Sequence, residues 1–128
     1  MLNPASLISF DFVLKGIKQG IPITQMKLQK MLYFGQGLNL VKNNEPLVQE
    51  MFQAWKYGPV IPSIYSTYKF YGSDPITDTY WIGSQSKLED EISKIDNQSR
   101  NILDLTWEST KQISAIKLSN WTHAEGSP

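Results

Sequence analysis

The sequence contains no cysteine. That removes disulfide staples, a thiolate nucleophile and any cysteine-based zinc site, and it is compatible with a reducing compartment. Histidine is nearly absent, with His123 the single example. A lone imidazole among scattered carboxylates falls short of a zinc set, and no Asp-rich calcium loop occurs, so no metal is expected. There is no G-x-x-x-x-G-K-[ST] or G-x-G-x-x-G loop to cradle a phosphate, and no cofactor is expected either. An excess of one charge is also missing, because 12 basic residues balance 12 acidic ones. This argues against a dedicated nucleic-acid binder, whose affinity rests on many Lys and Arg contacts to phosphate. No apolar run approaches the roughly 20 residues that span a bilayer. The opening MLNPASLISFDFVLKG has neither a basic n-region nor a small-residue cleavage site. The expectation is a cytoplasmic protein with no membrane partner.

What is present is enough for a core. The chain has 128 residues and 41% hydrophobic content, which suits one domain spanning 1–128 without staples. Asn3-Pro4 reads as a helix start, with Asn as N-cap and Pro at the first helical position. Leu7, Phe10, Val13, Leu14 and Ile17 follow at helical spacing until Gly20 and Pro22 interrupt it. Thr24 caps a second helix, QMKLQKMLYFGQGLNLVKN, whose Leu28, Met31, Leu32, Gly35 and Leu38 share a face. Gly35 and Gly37 each cost about 1 kcal/mol of helix propensity relative to Ala, and close approach of another element at Gly35 would compensate. Asn43-Asn44 leaves the helix through a left-handed residue.

MFQAWKY, residues 51–57, reads as a strand, paired with Val60-Ile61 through a turn at Gly58-Pro59. Pro62 opens a third helix with Ile64, Tyr65, Tyr68 and Tyr71 as its stripe, stopped by Gly72. TYWI suits a brief edge strand. Leu88, Ile92 and Ile95, then Ile102, Leu103, Leu105 and Trp107, mark two helices broken near Asp96-Asn97. Ser114 caps a last short helix carrying Ile116, Leu118 and Trp121. The fold class is mainly α with a small β element (α+β): a compact single-domain helical bundle with a short strand or hairpin around residues 50–61.

Chemistry is hard to find. His123 lacks an orienting acid at a workable separation, since Glu125 is too near in sequence, and a histidine near a helix C-terminus commonly caps or packs. Lys27, Lys30 and Lys56 would suit a basic patch if they met, although a solvated helix edge explains them as well. The aromatic cluster Trp55, Tyr57, Tyr65, Tyr68 and Tyr71 holds more Tyr than a core favours, because each buried hydroxyl needs a partner. Two prolines in WKYGPVIP stiffen that turn, so little entropy is lost when something docks on it.

Taken together, KLQKMLYFGQG, Glu45-Pro46-Leu47, AWKYGPVIPSIY…YG and the closing LSNWTHAEGSP resemble the Panacea-domain family, the SocA-like and GepA-like phage-associated antitoxins. The match runs from about Ile21 to Pro128 and is weakest between Ser73 and Trp107. The resemblance implies a non-enzymatic antitoxin that neutralises a cognate protein toxin by direct contact, with delivery to a Clp-type protease as an adaptor role in SocA-like members. It implies no cofactor. The family blocks fall on residues 27–33, 55–60 and 122–128. In relatives a Trp and a further tail follow the last Pro, so the C-terminal tail is expected to be cut short here. Leu28, Met31, Leu32 and Trp55 are assigned to the core. Lys27, Lys30, Tyr33, Lys56, Tyr57, Gly58, Pro59, Tyr65, His123 and Glu125 are the candidate contact residues, the polar and aromatic ones on the ground that they are exposed. Two rival readings stand beside this one: a small hydrolase or transferase using His123, and an operator-binding regulator.

Overall fold

A computed structural model describes residues 2–82, 85–115 and 117–118. Among them are five α-helices and one two-stranded antiparallel sheet. The first helix, α1 (Ala5–Lys18), is buried on most of its circumference, with Ile8, Phe12 and Val13 fully enclosed. The expected stripe is therefore too narrow: Leu7, Leu14 and Ile17 lie half-buried at its margin. The helix reads poorly as amphipathic because other helices surround it, α2 (Gln25–Asn43), α3 (Pro62–Tyr68), α4 (Gln85–Ser93) and α5 (Asn97–Thr110) all touching it.

The start of α1 differs from the expectation. Pro4 is the residue that precedes the helix, and Asn3 does not cap it. Asn3 instead forms a parallel bridge to Val48, and its Nδ2 donates to the Leu47 carbonyl at 2.9 Å and to Ser99 Oγ at 3.0 Å. The vacated capping role falls to a distant residue: Glu50 Oε1 accepts the Ala5 N–H at 2.8 Å, a carboxylate placed where the helix dipole favours one.

The bounds of α2 are those read from the sequence. Thr24 Oγ1 accepts the Lys27 N–H at 3.2 Å, and Asn44 ends the helix at φ 57°. Leu28, Met31 and Leu32 are fully buried. A Cβ on Gly35 would sit 3.2 Å from both Leu47 Cδ2 and Thr106 Oγ1, so the expected close approach is present, made by α5 and the 45–48 segment. Asp96 begins α5 by accepting the Ser99 N–H at 3.0 Å, which is the anticipated break. Within α5, Ile102, Leu103 and Trp107 enter the core, whereas Leu105 is exposed. Ser114 Oγ accepts the Lys117 N–H at 3.2 Å, as a cap would. Ile116 and Trp121 lie outside the described residues.

The chain between α2 and α3 is where sequence and structure part. The sheet consists of β1 (Gln53–Trp55) and β2 (Gly58–Val60), in the register Gln53↔Val60, Ala54↔Pro59, Trp55↔Gly58. The turn is therefore Lys56–Tyr57, not Gly58-Pro59, and Ile61 belongs to no strand. Gly58 carries φ 113° as the first residue of the return strand, a conformation that favours glycine. TYWI is not an edge strand either: Tyr80–Ile82 is a turn of 3-10 helix. Its Trp81 packs edge-on against Tyr68 and Phe70, and this packing overrides β propensity.

Two glycines in α2 separate packing from propensity. Gly35→Leu forces extra volume into the α2–α5 contact and should destabilise by about 1–3 kcal/mol or more. Gly37→Ala faces open space and should stabilise by about 1 kcal/mol. Urea unfolding midpoints of the two variants should move in opposite directions.

Candidate functional site

The conspicuous feature of the surface is a groove of about 490 Å³ between the N-terminal half of α2, the hairpin and α3. Gln25, Met26, Gln29 and Lys30 form its floor, Trp55, Lys56, Tyr57 and Val60 one wall, and Tyr65, Gly72 and Ser73 the other. The Trp55 and Tyr65 rings meet edge-on with centroids 5.1 Å apart. Trp55 Nε1 donates to Gln53 Oε1 at 3.1 Å, and Lys56 Nζ lies 5.4 Å from the Tyr57 ring centroid. Trp55, Tyr57 and Tyr65 keep 39%, 63% and 39% of their surface exposed. Three large rings clustered around one groove are the kind of exposed apolar surface that marks an interaction site.

The hairpin is fixed in place by two consecutive residues of α2. Gln29 Oε1 accepts the Ile61 N–H at 2.9 Å while its Nε2 donates to the Ile61 carbonyl at 3.2 Å. Lys30 Nζ donates to the Tyr57 carbonyl. Lys30 is 1% exposed, and among the described residues it has no carboxylate partner. Burial lowers its pKa below the ordinary lysine value of 10.5. The groove therefore has a buried ammonium at its floor and an exposed one, Lys56, at its rim. None of its described lining residues carries a carboxylate, imidazole or thiol. Such a lining can bind through rings and amines.

A larger cleft, about 670 Å³, lies between α1 and α4. Most of its charges already answer one another: Lys15 pairs with Asp11 at 2.7 Å and Asp104 at 3.3 Å, and Lys18 with Glu89 at 3.7 Å, while Arg100 donates to the Ile92 carbonyl. It is a salt-bridged seam, and size alone does not make it the better site.

Of the candidate contact residues, Lys30, Lys56, Tyr57 and Tyr65 come together at the groove. The ground of exposure fails for Lys30, which is buried, and the candidates Gly58 and Pro59 are buried as well. Lys27 does not join Lys30 and Lys56; its Nζ donates to the Lys111 carbonyl at 2.6 Å. Tyr33 is half-buried and packs edge-on against Phe52 at 5.3 Å, away from the groove. Trp55, assigned to the core, stands on the surface instead. Residues that sequence reasoning missed include Met26, Gln29 and Ser73. Gln29 sits inside the KLQK block, one residue from a lysine that was chosen, but nothing in the sequence ties it to Ile61. His123 and Glu125 lie outside the described residues. No cluster of three or more His, Cys, Asp or Glu suited to a metal occurs among the described residues, and none of their helices is long and apolar enough to cross a membrane.

The buried Lys30 makes a pH prediction. Its folded-state pKa is lowered, so between that value and 10.5 the unfolded chain binds more protons than the folded one. Folding stability contributed by this group therefore rises with pH across that window. Lys30→Met abolishes the contribution, so the wild-type-minus-variant difference in Tm should grow from pH 7 to pH 10. A difference that stays flat or shrinks contradicts the burial.

Comparison with known proteins agrees with the motif reading. The family model described as "Antitoxin SocA-like, Panacea domain" matches residues 28–128. The chain is 33% identical over 118 residues to Antitoxin SocA of Caulobacter vibrioides (strain NA1000 / CB15N), an alignment covering 84% of this chain and 58% of that relative. The chain thus spans somewhat over half the relative's length. No solved structure matches it. The hairpin and α2 from Leu28 onward fall within the matched region, and the chain belongs to the SocA-like Panacea-domain antitoxin family.

Proposed function

We propose that this protein is an antitoxin that neutralises a cognate protein toxin by direct contact through the Trp55–Tyr65 groove, with no bond made or broken. One observation carries the reading: three exposed rings and two lysines converge on a groove whose described lining has no carboxylate, imidazole or thiol. A nanomolar complex needs about 12 kcal/mol of net binding free energy. A standard interface of about 1,600 Å² with a few buried Trp and Tyr anchors supplies that amount. The hairpin is already held by Gln29 and Lys30, so little ordering entropy is lost on docking. Of the sequence-derived contact candidates, Lys30, Lys56, Tyr57 and Tyr65 belong to this surface, joined by Trp55. Covering the toxin and handing it to a Clp-type protease begin with the same capture, and the reading takes both to occur in the cytoplasm. Toxin half-life in cells with and without the protease separates them.

The test is rescue of cells expressing the toxin, paired with capture of purified toxin. Trp55→Ala and Tyr65→Ala should each weaken capture by about 30-fold or more, the loss of a hot-spot side chain worth about 2 kcal/mol. The double variant should fail to rescue growth while keeping a Tm close to wild type, since neither ring is in the core. Rescue by the double variant at wild-type levels, or turnover of a small molecule by the purified protein, would overturn the proposal.

A further inference from the structure

The hairpin has one closed edge and one open edge. In the antiparallel register Ala54 faces Pro59. Proline has no N–H, so this pair exchanges no ladder bonds; the bonds fall on the flanking pairs Gln53–Val60 and Trp55–Gly58. In such a pair the backbone groups of the middle residue point away from the neighbouring strand. The Ala54 N–H and C=O therefore face outward, and among the described residues nothing hydrogen-bonds to them. The sheet has two strands and β1 is exposed along its length. At the far side, the Gln29 amide closes the chain beyond β2 by pairing with both the N–H and the C=O of Ile61.

Side-chain geometry adds a direction to that edge. Gln53 and Trp55 leave the same face of β1, as their 3.1 Å hydrogen bond requires. That face carries the Tyr65 ring and the groove. A strand laid along β1 with one residue opposite Ala54 would send the residues on either side of it toward this face. There they meet Lys56 at the rim and Lys30 at the floor, a cation 1% exposed whose acceptor is the neutral Tyr57 carbonyl. Burial lowers the Lys30 pKa below the ordinary lysine value.

We infer that the open edge of β1 takes up an extended, acidic segment of the partner polypeptide as a third strand, backbone-paired at Ala54 with a carboxylate side chain turned toward Lys30 and Lys56. This rests on the reading of the groove as a protein-binding surface and names its recognition mode: main-chain bonds for affinity, alternate side chains in the groove for specificity. A second copy of this chain is the poorer occupant. Its β1 presents Gln53, Ala54 and Trp55, none of them a carboxylate that could answer Lys30 and Lys56. An acidic strand meets them with opposite charge.

The test exploits the unused donor. Ala54→Pro deletes an N–H that β2 does not bind, and proline is tolerated on an edge strand whose N–H faces solvent. The hairpin and the Tm should survive. Ala54→Val keeps the N–H and serves as the control. The first probe is a displayed library of random peptides, panned against the full chain. Enriched peptides should carry Asp or Glu at alternate positions, protect the Ala54 amide from hydrogen exchange, and bind Ala54→Pro at least about tenfold more weakly than Ala54→Val, the loss of one hydrogen bond plus a ring in the way. No enrichment, enrichment without acidic residues, or an unprotected Ala54 amide overturns the inference, and the exchange measurement does so even if Ala54→Pro misfolds. The cognate toxin is the second probe. Capture lost in Trp55→Ala but unchanged in Ala54→Pro sinks strand addition and leaves the antitoxin reading standing. Acidic peptides that bind through Ala54 when the toxin does not bind at all uphold the inference and sink that reading.

Discussion

Polar side chains of α2 hold the architecture between α2 and α3 together. The 45–61 segment carries few backbone bonds of its own, since its only ladder is a three-residue hairpin. Buried backbone groups must find partners nonetheless. Gln36 Oε1 accepts from both Leu47 N and Val48 N, at 2.8 and 3.0 Å, and Asn39 Nδ2 donates to the Glu45 carbonyl at 2.9 Å. Gln29 pairs with Ile61 on both sides of its amide, and Lys30 reaches the Tyr57 carbonyl. Each bond is worth about 1 kcal/mol net, but leaving a buried group unpaired costs about 1–3 kcal/mol. Removing Gln36 or Gln29 orphans the buried N–H groups of Leu47, Val48 or Ile61, so the segment depends heavily on α2. The groove inherits its shape from that dependence.

The same fact explains what the sequence disclosed and what it hid. The ends of α2 were legible because capping is local: Thr24 and Asn44 act on backbone groups a few residues away. The break near Asp96-Asn97 was legible too, although not the cap that Asp96 supplies there. The approach at Gly35 was legible as a glycine without a local purpose. The role of Lys30 was not, because a lysine on a helix is normally solvated and its acceptor lies 27 residues downstream. Asn3 misled likewise, its side chain drawn from capping into a bridge with the 47–49 segment. The hairpin turn was displaced by two residues because Gly58 and Pro59 both look like turn formers. Gly58 is needed for its positive φ and Pro59 for a strand position that uses no N–H.

The two motif blocks, KLQK and WKYGPVIP, therefore act as one unit. One supplies Gln29 and Lys30; the other supplies the carbonyls and the N–H that they hold. Trp55 escapes the core because β1 faces outward on a hairpin whose return strand is the buried one. An aromatic residue in a motif is readily taken for packing, yet here the packing residues of the block are Gly58, Pro59 and Val60. Tyr65 looked like part of a helical stripe, but α3 buries Ile64 and Tyr68, one and three residues on either side of it. That rotation leaves Tyr65 free to meet Trp55 across the groove.

Lys30 is the point at which stability and binding pull in different directions. A lysine enclosed to this degree, held by a neutral carbonyl, bears a desolvation cost that no described carboxylate offsets. A methionine of similar length would fill the space without that cost. What the ammonium supplies in exchange is a fixed positive charge at the floor of a ring-walled groove, in a setting where water screens it weakly. An acidic segment seated there would gain a charge-assisted contact and relieve the buried cation in the same step. The affinity of such a complex would then include stability that the free protein forgoes, which is how a small domain with a modest groove can hold a partner tightly.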